Sequence, residues 1–283
     1  MSESTHQVLI LDVNPYAWNL QHQHDAKNLI AFREYVDIVH IFTKSHLMLS
    51  KDNTVQILAV HPLGCTVLYP SGDDAACGAV TGGSDLDLHS LMQQLLPAFS
   101  PPSETVAGRE ESGGLDMPHL AQALSRSLCA INRKLQKEQS TTIPKILCLQ
   151  ISLDASSNYN AIMNTIFSAQ KFGIPVDAFI FSQVHSSFLQ QACLLTGGIY
   201  CKPSDQKDSL QLLLMHYLPC LSARQVLRAP LQTNVDFKAS CTCHNKPVDF
   251  TFMCSVCLSL FCPVAMTDDK CEICGTNIRC MND

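Results

Sequence analysis

The chain has 283 residues, 46% hydrophobic and 16% charged, with 19 Lys and Arg against 25 Asp and Glu for a formal net charge of −6. That length holds one domain of about 200 residues plus a small module, and the composition is globular rather than disordered. The acidic balance excludes a general electrostatic grip on nucleic acid, and no run approaches the ~18 uninterrupted apolar residues of a membrane span, so neither direct sequence-specific nucleic-acid binding nor a membrane contact is expected.

The polar start, Met1-Ser-Glu-Ser-Thr-His-Gln7, has no basic or apolar leader segment and predicts no secretory signal. Val8 to Asp12 is a short branched run ending in a carboxylate, as in a buried parallel strand that delivers a polar group to its carboxyl end. Leu29, Phe32, Val36 and Val39 recur at helical spacing and predict a helix over 25–42. Thr54 to Val60 and Cys65 to Tyr69 are strand-like runs joined by His61-Pro-Leu-Gly64, a hairpin. Residues 71–84 read as a Gly- and Asp-rich loop, 85–99 as a helix, and 101–114 as a mobile polar segment.

Asp116 and Pro118 open the next helix as a cap residue and a first-turn proline do, with a core stripe of Leu120, Leu124, Leu128, Ile131 and Leu135. Strands then follow at 145–152, 174–182 and 199–202, and helices at 159–172, 186–195 and 210–218, with Gly197-Gly198 breaking the second of these helices. Such alternation predicts an α/β fold: a mostly parallel sheet with helices on both faces and one antiparallel hairpin at its edge. The expected organisation is an α/β domain over 1–218, a linker over 219–239 with Pro219 and Pro230, and a zinc module over 240–283.

The tail carries the sharpest chemical signal. Eight of the fifteen cysteines fall in the last 43 residues, and Cys254-Ser-Val-Cys257 and Cys271-Glu-Ile-Cys274 form two Cys-x-x-Cys pairs. Two intervening residues let a tight turn aim both thiolates at one ion, and two such turns complete a tetrahedral sulfur shell for Zn²⁺ with no open position for water. Such a zinc is structural. Cys241, Cys243 and Cys262, with His244 and Cys280 beside them, are candidate ligands of a second zinc, and an alternative pairing sets Cys241 and Cys243 against Cys254 and Cys257. From 241 to 283 the basic residues are Lys246, Lys270 and Arg279 against five acidic ones, so the module reads as a protein contact or a staple of the fold.

The carboxyl rim of the predicted sheet is informative for what it lacks. After the first strand comes Asp12-Val-Asn14-Pro-Tyr16, without the glycines of a dinucleotide site, and neither a phosphate-binding Gly-x-x-x-x-Gly-Lys-Ser/Thr nor a Gly-x-Ser-x-Gly elbow occurs. No enzyme activity is expected. Cys65, Cys129, Cys148 and Cys193 read as small buried core residues, and Leu212 to Met215 as core. His22 and His24 read as loop residues, and Trp18 as either rim packing or a contact anchor.

Asp12-x-Asn14-x-Tyr16, the hairpin, Gly113-Gly-Leu-Asp116 and Ser152-Leu-Asp154 together resemble a von Willebrand factor A domain. That family holds Mg²⁺ on two rim serines, a threonine and aspartates. Here Asn14 and Tyr16 stand at the serines and Leu115 at the threonine, so the hard-cation shell lacks oxygens. The site at Asp12, Asn14 and Asp154 is therefore expected to hold no Mg²⁺, its carboxylates bonding loop N–H groups instead. With Gln190 to Tyr200, Val235 to His244 and Cys254 to Cys262, the chain resembles the small zinc-binding subunits of general transcription factor IIH over nearly its whole length. The resemblance implies a non-catalytic nuclear core subunit in transcription initiation by RNA polymerase II and nucleotide excision repair. Its implied partners are the larger zinc-bearing von Willebrand A subunit and other core subunits. The competing reading is a RING-like ubiquitin ligase or a ubiquitin-pathway adaptor, weakened by a first pair that is Cys-x-Cys and by the absence of histidine after His244.

Overall fold

The computed structural model describes residues 4–18, 30–69, 80–81, 119–138, 142–154, 159–227, 235, 237, 239–241, 247–257, 259–262, 271 and 274–276. The sequence readings at 19–29, 85–99 and 101–118, including His22, His24, Leu115 and Asp116, lie outside them. The sheet uses β1 (Thr5–Asp12), β2 (Thr54–His61), β3 (Gly64–Tyr69), β4 (Val80–Thr81), β5 (Ile143–Gln150), β6 (Val176–Ile180) and β7 (Tyr200–Cys201). The helices are α1 (Phe32–Leu49), α2 (Leu120–Glu138), α3 (Tyr159–Lys171), α4 (Ser187–Thr196), α5 (Ser209–Tyr217) and α6 (Leu221–Arg224).

Strand order is β3-β2-β1-β5-β6-β7, and β4 also pairs with β2. The central pairings are parallel, with Leu9 opposite Ile57 and Val8 opposite Ile146, while β3 and β4 run antiparallel to β2. This is the von Willebrand A-like architecture that the sequence resemblance implies. Because side chains alternate faces along a strand, β1 sends Leu9 and Leu11 into one apolar layer with Ile57, Leu149, Val39 and Phe42. Val8 and Ile10 enter the other layer with Leu58, Ile146, Leu124, Ile131 and Ile162. At about 1.5–3 kcal/mol per buried branched side chain, these two layers are the main source of the domain's stability.

Four local expectations are corrected. The helix read at 25–42 runs from Phe32 to Leu49, because Phe42, Thr43 and His46 carry its buried face onward until Ser50 turns extended. Its first turn is held by Glu34, whose carboxylate accepts the Ala31 N–H at 3.3 Å. Within the loop read at 71–84, Val80 and Thr81 pair with Val55 and Thr54. Cys129 is exposed rather than buried, since it lies off the stripe formed by Leu120, Leu124, Leu128 and Ile131. Leu135 and Met215 are exposed as well, because Ile131 and Lys134 in the one helix and Leu213 and Tyr217 in the other take the buried side.

Gly197 and Gly198 end α4 for separate reasons. Gly197 takes the left-handed conformation at φ 73°, and the Gly198 N–H donates to Cys193 O at 2.8 Å. A Cβ on Gly198 would stand 1.9 Å from the Val176 carbonyl oxygen, so only glycine lets β7 approach β6.

After α5 the chain stays tied to the amino ends of β5 and β6. Lys145 is fully buried and its Nζ donates to the carbonyls of Tyr217 and Pro219, both at 3.2 Å. Burial, followed by the Arg224 charge, lowers its pKa to about 8. Arg224, on α6, forks onto buried Asp177 with contacts of 2.9 and 2.7 Å. The stretch read as a linker from 219 thus begins with a short helix anchored on the α/β body.

Candidate metal centre and carboxylate rim

In the tail, β10 (Phe252–Met253) and β11 (Leu260–Phe261) form a hairpin with Phe252 opposite Phe261. A second small pair joins β8 (Ala239–Ser240) to β9 (Pro247–Val248). The β10–β11 turn carries the first Cys-x-x-Cys pair, and the Cys254 N–H closes it by donating to Ser259 O at 3.0 Å. The second pair repeats the arrangement, with the Cys271 N–H donating to Thr276 O at 2.8 Å. Gly275, at φ 70°, lets the latter turn reverse while its N–H donates to Cys271 O at 2.8 Å.

The turns bring the sulfurs of Cys254, Cys257, Cys271 and Cys274 within 4.8 Å of one another. Cys254 lies 3.6 Å from Cys274, and Cys257 lies 3.6 Å from Cys271, sulfur to sulfur. Thiolates about 2.3 Å from a common tetrahedral centre stand roughly 3.8 Å apart, whereas a disulfide needs about 2.05 Å. The spacing is that of a metal cradle, and the cluster can bind one metal ion.

One further residue completes each turn. The hydroxyl oxygens of Ser259 and Thr276 lie 3.2 Å from the sulfurs of Cys257 and Cys274. The Thr276 hydroxyl and backbone hold Cys274 down to about 6, and Ser259 lowers Cys257 in the same way. Thiolate is the form that ligates metal. These positions escaped the sequence reading, although the signal is present: a hydroxyl residue stands two places after the second cysteine of each pair.

Of the second candidate set, Cys241 and Cys262 are buried, and Cys243 lies outside the described residues. Among the described residues, only the four cysteines above gather as a metal-ligating group.

At the carboxyl rim, Asp12 ends β1 and is 1% exposed. Its carboxylate accepts the N–H groups of Asn14 at 3.1 Å, Ile151 at 3.0 Å and Ser152 at 2.6 Å. Burial raises its pKa, and the Ser152, Ile151 and Asn14 hydrogen bonds oppose that shift. Asn14 is used in turn, its Oδ1 accepting the Tyr16 N–H at 3.1 Å. Trp18 is buried, with its ring centroid 5.3 Å from that of Phe32 and 4.9 Å from that of Tyr35, so it packs in the core beneath the rim.

Asp154 secures the start of α4. Its carboxylate accepts from the hydroxyls of Ser186 at 2.6 Å and Ser187 at 3.2 Å, from the Phe188 N–H at 3.2 Å and from the Gln150 amide at 3.1 Å. A carboxylate at a helix amino end also meets the positive pole of the backbone dipoles. Both aspartates therefore spend their oxygens on donors of the chain itself.

With this geometry established, similarity to known proteins gives the family. The family model for Transcription factor Tfb4 matches residues 5–275. General transcription factor IIH subunit 3 of Dictyostelium discoideum is 35% identical over 274 residues, which cover 88% of this chain and 68% of the relative. The Arabidopsis thaliana general transcription and DNA repair factor IIH subunit TFB4 is 32% identical over 95% of this chain and 87% of its own length. Among solved structures, the N-terminal domain of TFIIH p34 superposes with a TM-score of 0.58 at 21% identity, covering 76% of this chain and 98% of that domain, which supports the fold. A match from residue 5 to 275, spanning both the α/β body and the cysteine cluster, shows that this chain belongs to the transcription factor Tfb4 family.

Proposed function

We propose that the chain acts as an organiser whose α/β body and cysteine module each offer a surface to neighbouring proteins. Membership of the Tfb4 family makes it a non-catalytic subunit of general transcription factor IIH, in transcription and DNA repair. Within that assembly the larger zinc-bearing von Willebrand A subunit is the partner, and the nucleus is the compartment. The observation that carries this reading is the apolar surface of the module. Phe250, Phe252, Met253 and Val256 are exposed around the β10–β11 hairpin, with the two phenylalanine rings 6.4 Å apart between centroids. Exposed aromatic and Met side chains in one patch are characteristic of protein contacts. Coexpression with the larger subunit should give a stable pair that Phe250→Ser with Met253→Ser dissociates while leaving each chain folded. An undisturbed pair would remove the patch from the interface.

The ion in the cluster is zinc, held by Cys254, Cys257, Cys271 and Cys274. Four soft thiolates with no water position favour it, and the site is a staple for the module over 240–283. Elemental analysis should return one zinc per chain. A value near two would place a second zinc on Cys241, Cys243 and Cys262. At the rim, Asp12, Asn14 and Asp154 hold the loops and take no Mg²⁺. Calorimetry at millimolar Mg²⁺ should be flat, and a saturable isotherm lost in Asp12→Ala would overturn that assignment.

A further inference from the structure

Two close sulfur contacts of the cysteine cluster run from one turn to the other, Cys254 to Cys274 and Cys257 to Cys271, both at 3.6 Å. Each joins a buried residue to a more accessible one. Cys254 and Cys271 are buried, whereas Cys274 is exposed and Cys257 half-buried. A disulfide needs about 2.05 Å between sulfurs, so either contact would have to shorten by roughly 1.5 Å to become a bond. Little stands in the way of that move. The β10–β11 hairpin that carries the first turn pairs only Phe252 with Phe261 and Met253 with Leu260.

We infer that the cluster is also a redox switch, in which a peroxide-class oxidant joins the two turns through Cys254–Cys274 and Cys257–Cys271 bridges and frees the ion. That zinc is what leaves rests on the reading given above, but the choice of bridge partners rests on the sulfur positions alone. Exposed Cys274 reacts first. Its thiolate attacks hydrogen peroxide, the O–O bond breaks, and the sulfur keeps one oxygen as a sulfenic acid while hydroxide leaves and takes a proton to become water. The Cys254 thiolate, 3.6 Å away, then attacks that sulfur, and the S–S bond forms as the S–O bond breaks. The departing hydroxide becomes a second water.

Each bridge thus consumes one peroxide, which takes up the two electrons that the pair of sulfurs gives up. A second peroxide closes Cys257 to Cys271 in the same way. Because only thiolates ligate the ion, bridged sulfurs no longer hold it. The bridges run between residues 20 and 14 apart in sequence, so they keep the two turns tied together after the ion has gone. Bridges within each Cys-x-x-Cys pair would leave the turns separate. The oxidised tail is therefore a second stapled state, from which reduction restores the four-thiolate cradle.

The test treats the full-length, zinc-loaded chain with hydrogen peroxide while a chromophoric chelator reads the zinc released. Free thiols are then capped with N-ethylmaleimide, the chain is digested without reduction, and mass spectrometry maps the bridges. Cys254–Cys274 is expected as the first bridge and Cys257–Cys271 as the second, with zinc lost in step with the first and regained after reduction and addition of zinc. Proteolysis beyond residue 240 should be about threefold slower in the oxidised chain than in the reduced chain stripped by chelator. Bridges from Cys254 to Cys257 and from Cys271 to Cys274, bridges to Cys241 or Cys262, sulfinic acid at Cys274 in place of a bridge, or equal proteolysis would each overturn the proposal. A purified chain without zinc would refute the metal reading alone, because the bridge map on that chain still decides the pairing.

Discussion

In the α/β body, branched and aromatic side chains fill both faces of a seven-stranded sheet, whereas among the described residues of the cysteine module the buried cluster is Cys254, Phe261 and Cys271. Two of those three residues are candidate metal ligands. The body rests on that apolar burial, while the described part of the module gathers its buried cluster around cysteines. A metal ion held by the four cysteines would add folding energy to that cluster. The same contrast separates two kinds of polar site, because the rim aspartates are satisfied by the chain's own donors while the four sulfurs face one another.

The largest effect expected is uncoupling the two regions by removing the ion. Structural zinc contributes about 10–16 kcal/mol of apparent folding free energy in small modules. Chelation, or Cys271→Ser, should release the tail to hydrogen exchange and proteolysis beyond residue 240 while the body stays folded. Trp18 makes this readable, being the only tryptophan and 5% exposed in the body's core. Its fluorescence should not move on chelation. A concerted loss of both signals would show that the two regions fold as one unit.

The reverse break is Gly198→Ala. Its Cβ would meet the Val176 carbonyl oxygen at 1.9 Å, a backbone atom that cannot swing aside as a side-chain tip does. Urea unfolding followed by Trp18 should show a loss above about 3 kcal/mol, with zinc content per folded chain unchanged. A loss under about 1 kcal/mol would mean that β6 and β7 can part without cost.

Acid should act on the body first. His6 and His46 are buried at the amino end of the sheet. Burial, then the charges of Lys134 and His46, lowers His6 to about 3, and burial, then Lys145, lowers His46 to about 4. Folded values below the unfolded value near 6.5 mean that the unfolded chain binds more protons in the interval between them. The stabilisation is complete above about pH 6.5 and shrinks as pH falls towards 4, by on the order of 2 kcal/mol for each histidine at pH 5. The melting temperature read by Trp18 should be level from pH 7 to 8 and drop from pH 6.5 to 5, and His46→Leu should flatten that slope. A slope that persists in His6→Phe with His46→Leu would move its origin elsewhere.

How far these features could be read from the chain depended on what each one rests on. The strands at Val8, Thr54, Lys145 and Ile174 were legible because apolar runs bounded by polar turns are a local signal, and their ends shifted by no more than three residues. That Cys254, Cys257, Cys271 and Cys274 would gather was legible from their spacing. Asp12 could be placed on the rim, but its donors on Ile151 and Ser152 lie 139 and 140 residues away, and only the parallel pairing of β1 with β5 brings them together. The exposure of Cys129 was missed because an apolar neighbourhood in sequence says little about which side of a helix a residue takes. Lys145 in the core ran against composition, and it is tolerated because the backbone carbonyls of Tyr217 and Pro219 face it.

The smallest effect expected lies inside the module and tests whether its hydroxyl residues tune the sulfurs or merely fill space. Thr276, by its hydroxyl and its backbone, is the main cause that holds the Cys274 thiol down to about 6, so at neutral pH that sulfur would bind an ion without first losing a proton. Thr276→Val keeps the shape and removes the hydroxyl. Zinc affinity, measured against a chromophoric chelator at pH 7, should fall about tenfold, the lower end of what loss of a ligand's hydrogen-bond partner costs. The difference should shrink above pH 9, where the thiol ionises without help, and grow below pH 7, where protons compete hardest. Ser259→Ala should move affinity in the same direction through Cys257. A tenfold loss that does not change with pH would assign Thr276 a packing role, and no loss at all would leave the paired hydroxyls without a part in metal binding.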